Sequence, residues 1–178
     1  MSAVRDLSVG GLVDQIAATD EPIASGAAAA IVCAEAAALL DLTAALALNH
    51  RPEDGALQSV AAAAKGLREA ALDTAELERT AYRDALAAGD LGAAADAPLR
   101  TAQLAASVAS GAAVVVGAGE WPFTPDAVAA VVMADCAATV AATLVRANLV
   151  EVPDDPRLTI AADALAATQS TTKQVGGR

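Results

Sequence analysis

PIASGAAAAIVCAEAAALLDLTAALAL, residues 22–48, decides the fold. Read as a helix it is apolar on every side, and a helix hydrophobic all round is a buried one. At about 1.5 Å per residue it spans roughly 35 Å, the depth of a small domain. Glu35 and Asp41 lie inside it, and a charge at the centre of a bilayer costs several kcal/mol, which argues against a membrane span. The stretch is therefore read as the long buried central helix of a soluble bundle.

The rest of the chain supplies partners for that rod. A short helix is predicted over Leu7–Ala18, weakened by Gly10 and Gly11, with Pro22 as the pivot of the loop that follows. Asn49-His50-Arg51-Pro52 ends the central helix. The next helix, about Ala56–Ala88, carries a stripe in steps of three and four from Leu57 through Leu67 and Ala71 to Ala85. After a polar connection at Gly89–Ala97, Pro98 begins a fourth helix. Thr124-Pro125-Asp126 gives a helix start with hydroxyl cap, first-turn proline and first-turn acid, and that fifth helix reaches Leu149. Asp155-Pro156 opens a last helix to Gln169, within a single domain over residues 1–170, and residues 171–178 are expected to fray. No alternation of the strand type and no solenoid repeat occurs, so the fold class is all-α.

Composition narrows the function. A chain of 178 residues suits one domain. Its 56% hydrophobic fraction rests mostly on alanine, with one Trp, one Tyr and one Phe. Small side chains bury little area each, so the fold needs extensive helix contact, which a homodimer would extend. A net charge of −11 argues against nucleic acid and anionic membranes. No basic segment followed by an apolar one opens the chain, so no secretory signal is expected. Cys33 and Cys136 fall inside predicted helices and read as reduced packing residues of a cytoplasmic protein. A single histidine, His50, cannot build a His-rich metal site.

With these elements in place, the chain resembles the cyclodeaminase/cyclohydrolase family: small helical dimeric domains found in formiminotransferase-cyclodeaminase and in methenyltetrahydrofolate cyclohydrolases. The similarity covers about residues 5–150. LSVGGLVDQIAA resembles the family's first helix. Pro22 and the small residues after it stand where the family has proline, three glycines and serine. Glu78-x-x-Ala81-Tyr82 is similar to its Asp-x-x-Ala-Tyr/Phe, Asp126-Ala-Val-Ala-Ala to its Asp-x-x-Val-Ala, and Asn148-Leu149 to its terminal Asn-Leu. The sequence departs from the pattern at Ile23-Ala24-Ser25-Gly26, at Glu120 where the family has asparagine, and at Leu144, near which another asparagine is expected. A lysine-rich patch is replaced by residues 49–54. An acidic chain without that patch is poorly matched to the anionic tail of a polyglutamylated folate.

The family acts on an amidine-like C–N bond, which calls for proton transfer to or from nitrogen and for stabilisation of a cationic centre. Desolvated carboxylates suit both tasks. Glu78 lies on the third helix's apolar stripe, within about 20° of Leu67 and Ala71, and burial there would raise its pKa; alternatively it reaches solvent or pairs with Arg79 or Arg83. Asp126 matches a family aspartate and is also an ordinary first-turn acid. Glu35 shares a helix line with Ile31, Leu39 and Leu42, and either belongs to an altered site or bonds a neighbouring helix or subunit; Asp41 has the same structural alternative. Tyr82, Trp121, Glu120, Ser25 and Gly26 are the candidate substrate-binding residues. Trp121 could stack on a planar ligand, and Ser25 could instead cap the central helix. Asn148 lies about 33 Å from Asp126 along one helix, which points to a helix-end or subunit-contact role. No cofactor and no metal are expected, with folate as a candidate substrate only.

Three functions follow from this reading. The first is a diverged enzyme making or breaking a C–N bond of a small cyclic amidine or imine, not on polyglutamylated folate. The second is a methenyltetrahydrofolate cyclohydrolase of one-carbon metabolism, and the third a non-catalytic helical dimer acting as a binding or assembly partner.

Overall fold

A computed structural model describes residues 3–19 and 23–177, apart from the side chains of Tyr82 and Leu86. Pro22, the expected loop pivot, lies outside the described residues. Six α-helices make up the fold: α1 (Val9–Ala17), α2 (Ser25–His50), α3 (Gly55–Ala88), α4 (Asp96–Ala118), α5 (Thr124–Asn148) and α6 (Pro156–Gly176). Short 3-10 turns at Val4–Asp6 and Leu91–Ala95 complete it, and no strand occurs among the described residues. The all-α bundle expected from periodicity is the observed architecture.

Alanine sets the packing. The core positions of α5 repeat as Ala127, Ala130, Ala134, Ala137, Ala138 and Ala141, each almost fully buried, so the side facing α4 and α2 is smooth. Helix axes can then approach closely, and many small contacts replace a few large ones. Gly111 of α4 extends this: a Cβ there would stand 3.0 Å from Leu40 Cδ2 of α2. Helix α4 packs on α2, α3, α5 and α6, while α2 packs on α3, α4 and α5. Ser25–His50 is thus buried along one side, with Leu40, Ala44 and Ala47 at 0–1% exposure. It also keeps an outward stripe, on which Leu42 is 50% exposed. Buried hydroxyls find local acceptors: Thr43 donates to Leu39 O at 2.8 Å and Thr74 to Ala70 O at 2.7 Å, which keeps them from costing stability. Asp41 pairs with Arg68 of α3 at 2.9 Å.

Several ends differ from the sequence expectation. Ser25 is the first residue of α2 and caps nothing; Ala24 holds the N-cap position, with no side-chain hydrogen bond. Thr124 likewise begins α5, with Phe123 at the N-cap position, and its hydroxyl accepts from Trp121 N at 2.9 Å. Asp155 does cap α6, accepting from Arg157 N at 2.9 Å. Residues 171–176, expected to fray, continue α6, and Val175 is 7% exposed in the main core. That one apolar side chain docks a polar stretch that has no stripe of its own.

Helices α2, α4 with its preceding turn, and α5 are long and apolar enough to cross a membrane by length and composition alone. Helix α1 has no buried residue, and Val9, Val13 and Ile16 are exposed along it.

Arg157 ties the start of α6 to the Leu91–Ala95 turn. Its guanidinium donates to Asp155 Oδ2 at 2.7 Å, Asp96 Oδ1 at 2.7 Å and Gly92 O at 3.0 Å. Hydrogen bonding to Arg157 holds the Asp155 carboxyl below its usual pKa. Arg157→Ala removes all of these bonds at once and is expected to lower Tm by several degrees, measured by thermal unfolding at pH 7.

Candidate functional site

The hairpin of α2 and α3 builds the site. Helix α3 doubles back along α2 after the turn at residues 51–54, so Glu78 comes alongside Gly26, in the first turn of α2. The approach is close: a Cβ added at Gly26 would lie 2.5 Å from Glu78 Cδ and 2.9 Å from Oε1. Gly26 carries no positive φ. Its use here is space, since only glycine leaves room for a carboxyl against the backbone.

Glu78 borders a cavity of about 340 Å³ whose other walls include Ser25, Leu91, Ala94, Leu144 and Asn148. Its Oε1 is buried with no hydrogen-bond partner among the described residues. Desolvation by burial raises its pKa from 4.5 to about 7, because an apolar surround disfavours the charged form. Arg79 instead meets Glu76 at 3.0 Å, and Arg83 meets Asp84 at 3.3 Å. Asn148 Nδ2 donates to Ala94 O at 3.1 Å, which fixes the turn that walls the cavity.

The structure gathers three of the sequence candidates: Glu78, Ser25 and Gly26 border one space. The others stand elsewhere. Glu35 is exposed on the outward stripe of α2, and Asp126 and Glu120 are exposed at the start of α5. Trp121 stacks on Phe123 and His50, with ring centroids 5.1 and 6.2 Å apart. Gly119 makes room for the indole, since a Cβ there would lie 2.8 Å from Trp121 Cζ2. This aromatic group sits at the far end of α5, about 36 Å from the cavity. The side chain of Tyr82 lies outside the described residues.

The sequence reading did not place Asn148, Leu91, Ala94 or Leu144 in the site. Two of them carried a signal. Asn148 matched a family asparagine, and Leu144 marked a position where the family pattern is broken.

An α-helical bundle with a half-buried carboxyl, one oxygen bare, at a partly open cavity is the class that fold and site define. The solved structure of formiminotetrahydrofolate cyclodeaminase from Thermotoga maritima superposes with a TM-score of 0.80 at 19% identity, over 97% of this chain and 93% of that one. This chain therefore has the cyclodeaminase-like fold. No family model matches it, and no curated protein does.

Proposed function

We propose that this protein is an enzyme that makes or breaks a C–N bond of a small cyclic amidine or imine, with Glu78 as its general acid. The observation that carries the reading is the Glu78 carboxyl, with one oxygen bare, facing a cavity and with its pKa pushed up to about 7. An acid of that strength is about half protonated at neutrality, so it can both give up and recover a proton there. In ring opening a water adds to the electron-poor carbon, forming the C–O bond and giving one proton to solvent. As the C–N bond of that adduct then breaks, its electron pair goes to nitrogen, which takes the Glu78 proton, and the carboxylate recovers a proton from the adduct's hydroxyl as the carbonyl forms. The carboxylate so formed faces the electron-poor carbon, where a negative charge is favourable in a low-dielectric site. In the ring-forming direction the same proton leaves with ammonia. Leu91, Ala94 and Leu144 give the cavity apolar walls.

Size and charge select the substrate. A cavity of about 340 Å³ is at the small end for ligand sites, and among the described residues no lysine or arginine lines it. That suits a neutral or cationic ring better than a polyanionic tail. We place this activity in the cytoplasm, with no cofactor. The cyclodeaminase-like fold favours one second reading, a methenyltetrahydrofolate cyclohydrolase. Spectroscopic titration with methenyltetrahydrofolate separates the two: the first expects no saturable binding in the micromolar range, whereas tight binding with hydrolysis establishes the second.

A further inference from the structure

Two walls of the Glu78 cavity, Leu91 and Ala94, come from a turn rather than from a long helix. The turn reads LGAAA, so Leu91 is its one large side chain. Asp90, at its N-cap position, makes no side-chain cap hydrogen bond, and Leu91 is 38% exposed. The turn's carbonyls are held from outside instead. Asn148 of α5 donates to Ala94 O, and Arg157 of α6 donates to Gly92 O. Arg157 is itself fixed in place. Its Nε and Nη2 fork onto the two carboxyl oxygens of Asp155 at 3.0 and 2.7 Å, and Asp155 is locked as the cap of α6. A bidentate pair sets the plane of the guanidinium. That plane carries Nη1 to Gly92 O and Asp96 Oδ1, 3.0 and 2.7 Å away.

We propose that Arg157 is a positioning residue for Glu78: by pinning the Leu91–Ala95 turn, it keeps the carboxyl desolvated without reaching the cavity itself. Among the described residues Glu78 is the only charged side chain that lines the cavity. The closeness of the walls, not an ion pair inside them, therefore sets how readily it ionises. Without the guanidinium, water takes the donor's place at Gly92 O, in a residue already half-exposed, and the tie to α6 is gone. Leu91, partly in solvent from the start, is then free to swing outward. Water reaches Glu78 and favours its charged form. The direction of the effect is diagnostic. A cation acting through space favours a carboxylate, so its removal alone would push the Glu78 pKa up, whereas release of the wall pushes it down. The inference rests on the acid role proposed for Glu78 and names a remote residue that sustains it.

Carbon-13 NMR of the full chain, labelled at its glutamate carboxyls and titrated with pH, tests this without any substrate. In the wild type one resonance is expected to titrate at about 7, and its absence from Glu78→Gln assigns it. In Arg157→Ala the midpoint of that resonance is expected to fall at least halfway toward 4.5. Thr168→Ala is the control for lost stability. It removes the hydroxyl bond from α6 to Asp135 of α5, and is expected to lower Tm while leaving the midpoint at about 7. A midpoint that stays in place or rises in Arg157→Ala overturns the inference, as does an equal fall in Thr168→Ala. Should Arg157→Ala not fold, Asp155→Asn keeps a good capping residue and breaks the fork. It is expected to lower the midpoint as well, and an unmoved midpoint there overturns the inference too. A wild type in which no glutamate titrates near 7 removes the reading of Glu78 and this inference with it, whereas an unmoved midpoint sinks the inference alone.

Discussion

Glu78→Gln is expected to cut turnover by orders of magnitude while stabilising the fold. The amide keeps the shape of a protonated carboxyl and cannot give up a proton. The loss should fall in the range of about 10²–10⁴ in kcat that positioned proton donors supply. In the wild type, activity should fall as pH rises through about 7, where Glu78 ionises, and the residual activity of the variant should lack that limb. Stability moves the other way. The folded-state pKa is raised from 4.5 to about 7, so the folded chain holds this proton more tightly than the unfolded one. That stabilisation is complete below pH 4.5 and is lost as pH rises through about 7. The variant has no such loss. At pH 8 it should exceed the wild type by up to about 3 kcal/mol, and at pH 4 the gap should close. Urea unfolding at the two pH values measures this, and equal stability at both would show that Glu78 is solvated. A stabilised variant with an unchanged phenotype would favour the bundle as a scaffold.

Gly26→Ala tests the same site from the backbone side. The added methyl occupies the place of the Glu78 carboxyl, and what must yield is the end of a flexible side chain. Stability should therefore change by less than about 1 kcal/mol, since alanine also favours the helix. Turnover should drop at least tenfold, because a displacement of about 1 Å at a proton donor is costly. The pKa of Glu78 should fall toward 4.5 as its carboxyl moves to water, visible as a shifted pH profile. Turnover, pH profile and Tm measured together separate this outcome from simple unfolding.

Glu78 was legible because an acid interrupts a periodic apolar stripe, and such an interruption signals desolvation whatever the stripe packs against. Gly26 was legible as a small residue in an expected ligand loop, but not as the seat of the Glu78 carboxyl. That contact joins residues 52 positions apart and depends on the register of the α2–α3 hairpin. Ser25 and Thr124 show a limit of another kind. Both are good capping residues, yet each lies one position inside its helix, because local sequence does not fix which peptide turns first. Helix α6 outruns its periodicity for a tertiary reason, the docking of Val175.

The sequence by itself determined the helices, their approximate ends and the all-α class, because helix propensity, proline placement and apolar period act over a few residues. It also marked Glu78 as an acid on an apolar face. Only the tertiary structure decided that Glu78 meets Gly26, Leu144 and Asn148 across one cavity, and that Asp126 and Trp121 stand at the opposite end of the bundle. Those outcomes follow from how rigid rods of fixed length align side by side. Alanine-rich surfaces, nearly alike at every turn, carry little of that alignment in any single stretch of sequence.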